Sequence, residues 1–352
     1  MSAGADRANG EIRIGICGAG NIVANHLGAI ARVEGLRATA VSSRTSKSAR
    51  AIARQFGVPA AYDDHRRTIE SPDVDVVLVA TPNYQHAPLA LAALAAGKHV
   101  MVEKPLAMNV AEARRMVAAA ARAGRHLFYA EQLPQAPKSV MLAAAARAGA
   151  FGDIYLVRQI ERHHGPYSPW FFQKETAGGG VLMDLGCHSI SVILDILAGR
   201  AIESVSAVTR RFVHTQGDVE DFAIVQLRFA GGVVGVAENN WCKPGGMDSI
   251  TEICGTKGSV WGDLFKGSGL TVFLEHGALG HRGGQGGWHF PQYDPLWENG
   301  YISQFEALRA TLRDGAPAPQ TGADGLRVMR IMAAAYTSAA RDGRPVTPAE
   351  PL

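Results

Sequence analysis

Ile12-Arg13-Ile14-Gly15-Ile16-Cys17-Gly18-Ala19-Gly20-Asn21-Ile22-Val23 is the stretch that decides the fold. A short apolar strand, Ile12 to Cys17, runs into a glycine-broken turn, and a helical pattern follows from about Asn21 to Val33. Gly18 permits the tight turn. Gly20 lets the backbone approach a pyrophosphate, which would rest on the amides at the helix N-terminus, those of Asn21 and Ile22 among them. The third glycine of the usual fingerprint is replaced by Val23, at the position that governs close helix–strand packing. The context carries the reading further than the glycines alone, because this is the first strand–helix turn of a βαβ pattern.

Outward from that turn, strand and helix patterns alternate for about 130 residues. Leu36 to Ser42 is a second strand and Ser46 to Phe56 a helix with Thr45 or Ser46 as N-cap. Val74 to Ala80 is apolar throughout, as expected of a strand covered on both faces. Pro88 to Ala96 is a helix closed by Gly97. His99 to Val102 is the next strand, and Val110 to Ala123 is a helix closed by Gly124. Repeated strand–helix units with short links predict a doubly wound parallel sheet over residues 11–131, behind a small polar leader at 1–10 that reads as disordered. After about Glu131 the pattern changes. Strands such as Asp221 to Phe229 and Val233 to Trp241 follow one another through tight turns, which predicts an α+β domain with a largely antiparallel sheet over 132–352. The glycine-rich stretch Gly267–Gly287 reads as a mobile loop.

Composition narrows the class. The chain has 352 residues, 47% of them apolar, and a formal net charge of +3 with acids and bases interspersed. That describes a two-domain globular protein, with no basic arm for nucleic acid and no apolar run long enough for a membrane. Cys17, Cys187, Cys242 and Cys254 form no CxxC pair and read as inert thiols of a reducing cytoplasm.

Three segments meet the carboxyl ends of the predicted parallel strands, where ligands bind in such sheets. The second strand ends at Ser42-Ser43-Arg44. An acidic residue there would hold the ribose hydroxyls of NAD. Ser43 and Arg44 offer a hydroxyl and a cation instead, which favours NADP over NAD. The third runs into Thr81-Pro82-Asn83-Tyr84-Gln85-His86, expected to contact the nicotinamide end of the cofactor; alternatively Thr81-Pro82 makes a turn and His86 caps the next helix. The third segment is Glu103-Lys104-Pro105, a lysine at the end of a buried strand, where a charge is hard to explain by stability alone.

In the second half, Gly178-Gly179-Gly180 opens an apolar helix of about eighteen residues carrying Asp184 and His188. At i and i+4 the two share a helix face, and a carboxylate and an imidazole among apolar neighbours need a partner or a task. A satisfied core pair is the plain alternative. Metal binding through His163, His164, Asp184 and His188 lacks a compact ligand motif, and no metal is expected.

Taken together, Gly15–Ile22, Asp75–Pro82 with His86, Ala96-Gly97-Lys98-His99-Val100 followed by Glu103-Lys104-Pro105, Gly179–His188 and Gly255-Thr256-Lys257-Gly258 resemble the Gfo/Idh/MocA oxidoreductase family, in the family's order over most of the chain. The resemblance implies a Rossmann domain followed by an α/β domain, and that Lys104, Asp184 and His188 correspond to the family's catalytic residues. It also implies a bond before Pro105 that is often cis, and a homodimer or homotetramer joined by the open sheet face. Glu103 joins Lys104 beside the expected cofactor. The reaction implied is hydride transfer between a nicotinamide and a hydroxyl or carbonyl of a sugar, sugar derivative or cyclitol. His188 is the candidate base, since an imidazole titrates near neutrality, and Lys104 the donor to the developing oxyanion, though the roles could swap. Substrate contacts are expected from Arg158, His164, Tyr167 and Trp170, whose aromatic faces and polar groups suit a polyhydroxylated ring. Trp170 could instead belong to the core or a subunit interface. Two other readings remain: a glycoside hydrolase that recycles a tightly bound NAD, and a non-catalytic NAD(P)-dependent sensor.

Overall fold

A computed structural model describes residues 10–265, 272–274, 287–289 and 294–348. Most of the leader and most of the Gly267–Gly287 stretch lie outside the described residues.

The chain divides into two compact units, Met1–Glu131 with Tyr301–Leu326, and Gln132–Gly300 with Arg327–Leu352. In the first unit the order is β1 (Ile12–Cys17), α1 (Asn21–Ile30), β2 (Leu36–Ser42), α2 (Ser46–Phe56), β3 (Ala60–Tyr62), α3 (His65–Ile69), β4 (Val76–Val79), α4 (His86–Ala95), β5 (His99–Glu103), α5 (Val110–Ala123) and β6 (Leu127–Ala130). All strands are parallel, in the order β3-β2-β1-β4-β5-β6. The order reverses between β1 and β4, which places the switch point, and hence the ligand crevice, at the carboxyl ends of those two strands. β4 is buried at every residue, as its unbroken valine-rich run requires. Local chemistry sets the helix ends. Thr45 accepts from the Ser48 amide at the start of α2, and Asn109 from the Glu112 amide at the start of α5.

The second unit holds α6 (Pro137–Arg147), β7 (Ile154–Arg162), α7 (Lys174–Ala177), a π-helical turn (Leu182–Gly186), α8 (Cys187–Ile196), β8 (Ile202–Arg210), β9 (Phe222–Phe229), β10 (Val234–Asn240), β11 (Asp248–Gly255), β12 (Ser259–Asp263) and, after a short hairpin, α9 (Pro295–Glu298). Its sheet runs β12-β11-β7-β10-β9-β8; β7 and β10 pair in parallel and every other pair is antiparallel. Helix α8 packs on β7 and β10. Alternation decides the faces: Ala223, Val225 and Leu227 are buried while Ile224, Gln226 and Arg228 face outward. The stretch Lys174–Ile196 is apolar and long enough to cross a membrane, but 94% of its most apolar eighteen-residue window is buried inside the protein, so it is a core element.

After α9 the chain returns to the first unit as α10 (Tyr301–Asp314), which packs on α1, and then forms α11 (Gly322–Ala339). Nothing in the pattern after Glu131 signals that return.

The helix expected after the glycine run is present to Ile196, but its opening, Leu182–Gly186, is π-helical. Gly178 is left-handed (φ +84°) and ends α7, and a π turn separates it from α8. Periodicity reads an apolar run as helical but does not register the one-residue insertion that makes a π turn.

Candidate active site

In the first unit the glycine turn has the shape its sequence demands. Gly18 sits at φ +130°, and a Cβ there would lie 2.0 Å from the Ala80 carbonyl oxygen, so only glycine lets β1 leave the sheet beside β4. Gly20 caps α1 in an extended conformation with no side-chain cap, and α1 has no acidic residue in its first turn. A Cβ on Gly20 would meet nothing within 4 Å. The helix therefore presents unsatisfied amides and the positive end of its dipole to open space, with Asn21 exposed beside them, which fits a pyrophosphate. Ile22 is half-buried, and Val23 is fully buried in the core.

At the end of β2, Ser42 is buried, with its hydroxyl 2.9 Å from His65 Nδ1. Ser43 is half-buried and Arg44 exposed. Both are available to a ligand at the β2 end, and their hydroxyl and cation suit a phosphate.

After β4, Thr81 and Pro82 are half-buried and Asn83 is buried in a short 3₁₀ turn. His86 differs from expectation. It is wholly buried, with Nδ1 2.8 Å from the Pro105 carbonyl oxygen and Nε2 2.9 Å from that of Thr81. Both nitrogens face backbone carbonyls, and the single N–H of the neutral ring donates to one of them, so His86 sits between the loop after β4 and the loop after β5. Burial lowers its pKa, against the opposing pull of the two carbonyls.

Lys104 follows β5 directly, half-buried, and the Lys104–Pro105 bond is cis. Glu103 is buried beneath it. Its Oε2 accepts from the Lys104 backbone amide at 3.0 Å and its Oε1 lies 2.6 Å from Nε2 of His26 on α1. His26 is 0% exposed, boxed edge-on by Tyr301 and Phe305 of α10, with Gln304 Nε2 3.5 Å from its Nδ1. Burial alone would raise the Glu103 carboxyl. The His26 hydrogen bond and the charges of His26, Lys104 and His86 outweigh it and hold the group below its ordinary value. Sequence reasoning missed His26, because nothing local links it to a glutamate 77 residues away.

In the second unit, Asp184 lies within the π turn and His188 in the first turn of α8, both buried. Trp241 Nε1 donates to Asp184 Oδ2 at 3.1 Å, and His163 Nε2 lies 3.9 Å from the same oxygen. The Gly165 amide donates to His163 Nδ1 at 3.0 Å, which leaves the proton of a neutral His163 on Nε2, facing Asp184. Trp241 and His163, at the ends of β10 and β7, are thus site neighbours that the i, i+4 argument did not find.

The expected substrate residues separate. Tyr167 is 85% exposed and stacks on His163 at 6.4 Å between centroids. Trp170 stacks on Phe171 at 3.7 Å, and Phe171 and Phe172 meet Trp241 edge-on. His164 is exposed and pairs with His214, so His163 is the histidine beside Asp184. Arg158 lies on the open sheet face in an ion pair with its cross-strand neighbour Glu252, at 3.3 Å. That pairing gives the guanidinium a sheet-stabilising role in place of the expected substrate contact.

Comparison with known proteins places this geometry. The family described as "Oxidoreductase family, NAD-binding Rossmann fold" matches residues 12–131, and "GFO/IDH/MocA C-terminal domain" matches 140–261. Myo-inositol 2-dehydrogenase of Thermotoga maritima is 28% identical over 331 residues, covering 93% of this chain and 96% of that one. Levoglucosan dehydrogenase of Pseudarthrobacter phenanthrenivorans is 30% identical over 329 residues, covering 82% and 84%. The crystal structure of GenD2 from gentamicin A biosynthesis in complex with NAD is 32% identical and superposes with a TM-score of 0.91, covering 99% of each chain.

Proposed function

The chain belongs to the Gfo/Idh/MocA oxidoreductases, and on that premise we propose that it interconverts one carbinol and carbonyl of a neutral sugar or cyclitol. It is a nicotinamide-dependent oxidoreductase acting on CH–OH groups of small carbohydrates. The observation that carries the finer reading is Lys104, set at the carboxyl end of a central parallel strand with a buried carboxylate beneath it. A cation there serves an oxygen whose charge rises during reaction.

When bound, the nicotinamide accepts or returns the hydride. Gly18, Gly20, Asn21 and Ile22 hold the pyrophosphate, and Ser43 with Arg44 the 2′-phosphate of NADP, which we favour over NAD. Thr81, Pro82 and Asn83 border the cofactor, and His86 fixes the loop that carries them. Lys104 donates to the substrate oxygen. His188 takes the hydroxyl proton in oxidation and returns it in reduction, while Asp184, tied to Trp241, keeps the local charge and orientation. Tyr167 and Trp170 offer ring faces to the C–H side of a sugar. Val208, Ile224 and Trp261 lie exposed on one sheet face, which supports a homo-oligomer built through that face. The four free thiols support a cytoplasmic setting.

The test is a panel of pentoses, hexoses and inositols, each with NAD and NADP, read at the reduced-nicotinamide absorbance band. Net reduction with at least one sugar or cyclitol, more efficient with NADP, is the expected result. No net reduction across the panel would sink the reading.

A further inference from the structure

Gly178-Gly179-Gly180 is the glycine run that no cofactor explains. A Cβ on Gly179 would lie 2.1 Å from the Tyr336 hydroxyl oxygen, and one on Gly180 only 1.9 Å from the Glu220 carbonyl oxygen. The backbone is bare because Glu220 and Tyr336 press directly on it.

What they hold is the head of the π turn. Glu220 Oε1 accepts from the Gly180 and Leu182 amides, each at 3.1 Å, and from the Tyr336 hydroxyl at 2.8 Å. The Glu220 carbonyl accepts from the Val181 amide at 2.9 Å. Three consecutive amides at the start of a helical segment, which have no partners within the helix, therefore all end on one residue. The next residue closes a circuit. Asp221 takes the amides of Phe212, Val213 and His214 on its carboxylate, at 2.8, 2.7 and 2.8 Å. Its carbonyl accepts the Trp241 amide at 2.8 Å, and the Trp241 indole donates to Asp184 inside the same turn at 3.1 Å. Asp184 is thus held from both ends of one hydrogen-bonded loop.

The π geometry needs such a hold. Relaxing it to an α-helix shifts the register by one residue, which turns one side of the segment about 100° against the other. Asp184 would then leave the Trp241 indole, or His188 would leave its place at the head of α8. Burial pushes the Glu220 carboxyl up, and burial together with Glu220 pushes the Tyr336 phenol well up, so the phenol remains a donor.

We propose that Glu220 and Tyr336 are positioning residues for the reaction, clamping the π turn so that Asp184 and His188 keep their working geometry. The proposal rests on the reading of Asp184 and His188 as the reacting groups.

The experiment compares Tyr336→Phe, Glu220→Ala and Glu220→Gln with the parent enzyme. Turnover and cofactor KM are read with the best panel substrate. The emission contributed by Trp241, taken as each variant minus the same variant carrying Trp241→Phe, reports the indole–Asp184 contact without any turnover. Tyr336→Phe and Glu220→Ala should lower kcat by about tenfold to a hundredfold, the scale of a misplacement near 1 Å, with cofactor KM unchanged and Trp241 emission altered. Glu220→Gln keeps an oxygen acceptor for the two amides and should restore most of kcat and the parent emission. Unchanged kcat and emission in Tyr336→Phe would overturn the clamp, and so would a cofactor KM that worsens in step with kcat. If Glu220→Ala does not fold, Tyr336→Phe and Glu220→Gln still decide. If no panel substrate turns over, the functional reading fails, and the emission of Tyr336→Phe alone supports or overturns the clamp.

Discussion

Each compact unit sets a buried glutamate behind the group proposed to react, and the two are held in opposite ways. Glu103, under Lys104, faces the imidazole of His26 at 2.6 Å and is held below its ordinary pKa despite burial. Glu220, at the head of the turn that carries Asp184, accepts from neutral donors among the described residues, two amides and a phenol, and burial wins, raising it. The first carboxylate acts by charge. The second acts by geometry, as an oxygen in the right place. Burial alone therefore does not say what a buried acid is for; its partners do.

The largest expected effect comes from neutralising each in turn. Glu103→Gln gives His26 and the Lys104 amide a neutral partner in place of an ionised acceptor, and losing hydrogen bonds to a charged group costs about 1.5–3 kcal/mol. Glu220→Gln keeps the acceptor its neutral donors need and should cost under about 1 kcal/mol, the scale of one ordinary hydrogen bond. Urea unfolding of the two variants measures both. Equal losses would erase the distinction between charge and geometry.

Activity should divide along the same line. Lys104→Ala removes the cation that Glu103 supports, and turnover should fall at least about a hundredfold, the order of losing an oxyanion donor or an acid–base group. Cofactor binding, read by titration of nicotinamide fluorescence, should survive. Near-normal turnover would leave the charged glutamate of the first unit without a reactive partner to serve.

The two glycine turns sharpen the contrast. Gly20 borders open space, with nothing within 4 Å of a Cβ, as the proposed pyrophosphate site requires, whereas Gly180 is bare because the Glu220 carbonyl already fills the space. Gly20→Ala should leave thermal stability intact and weaken cofactor affinity. Gly180→Ala should destabilise the fold by about 1–3 kcal/mol, the usual penalty of overpacking, or more if the backbone cannot yield. Thermal melts with and without NADP separate the two. A stabilising effect of NADP on Gly180→Ala equal to that on the parent would confirm that this glycine serves the fold alone.

Those glycines also mark how far the sequence could be read. The strand–turn–helix around Gly18 and Gly20 was legible because its meaning is local: strand, turn and helix lie within a dozen residues, and the ligand supplies the rest. The parallel sheet and the switch from it after Glu131 were legible for the same reason, since valine-rich runs and tight turns are short-range signals. The triple glycine was not, because its neighbours Glu220 and Tyr336 come from β9's approach and from α11. His26 was silent likewise, its box closed by α10 after the chain returns to the first unit. Arg158 and His86 illustrate the converse. Their residue types suit ligand contact, and only the sheet register and the two carbonyls show where their hydrogen bonds go.

The smallest effect is the one that reads the sign of each glutamate directly. A carboxyl whose folded value is depressed contributes stability above its unfolded pKa and loses it as pH falls through the folded value. Glu103 is such a group, and Asp221, pulled down by three backbone amides against its burial, behaves the same way. A carboxyl whose folded value is raised binds more protons folded than unfolded, so its contribution is present below the unfolded pKa and lost as pH rises through the raised value. Glu220 is such a group. Urea midpoints of the parent, Glu103→Gln and Glu220→Gln across a pH series should therefore move apart. The deficit of Glu103→Gln should shrink towards acid. The parent should lose ground to Glu220→Gln as pH rises from the acid side through the carboxylate range, by about 1.4 kcal/mol for each unit that the carboxyl is raised. Parallel curves for the two variants would mean that both glutamates are held alike, and that the clamp on the π turn rests on charge after all.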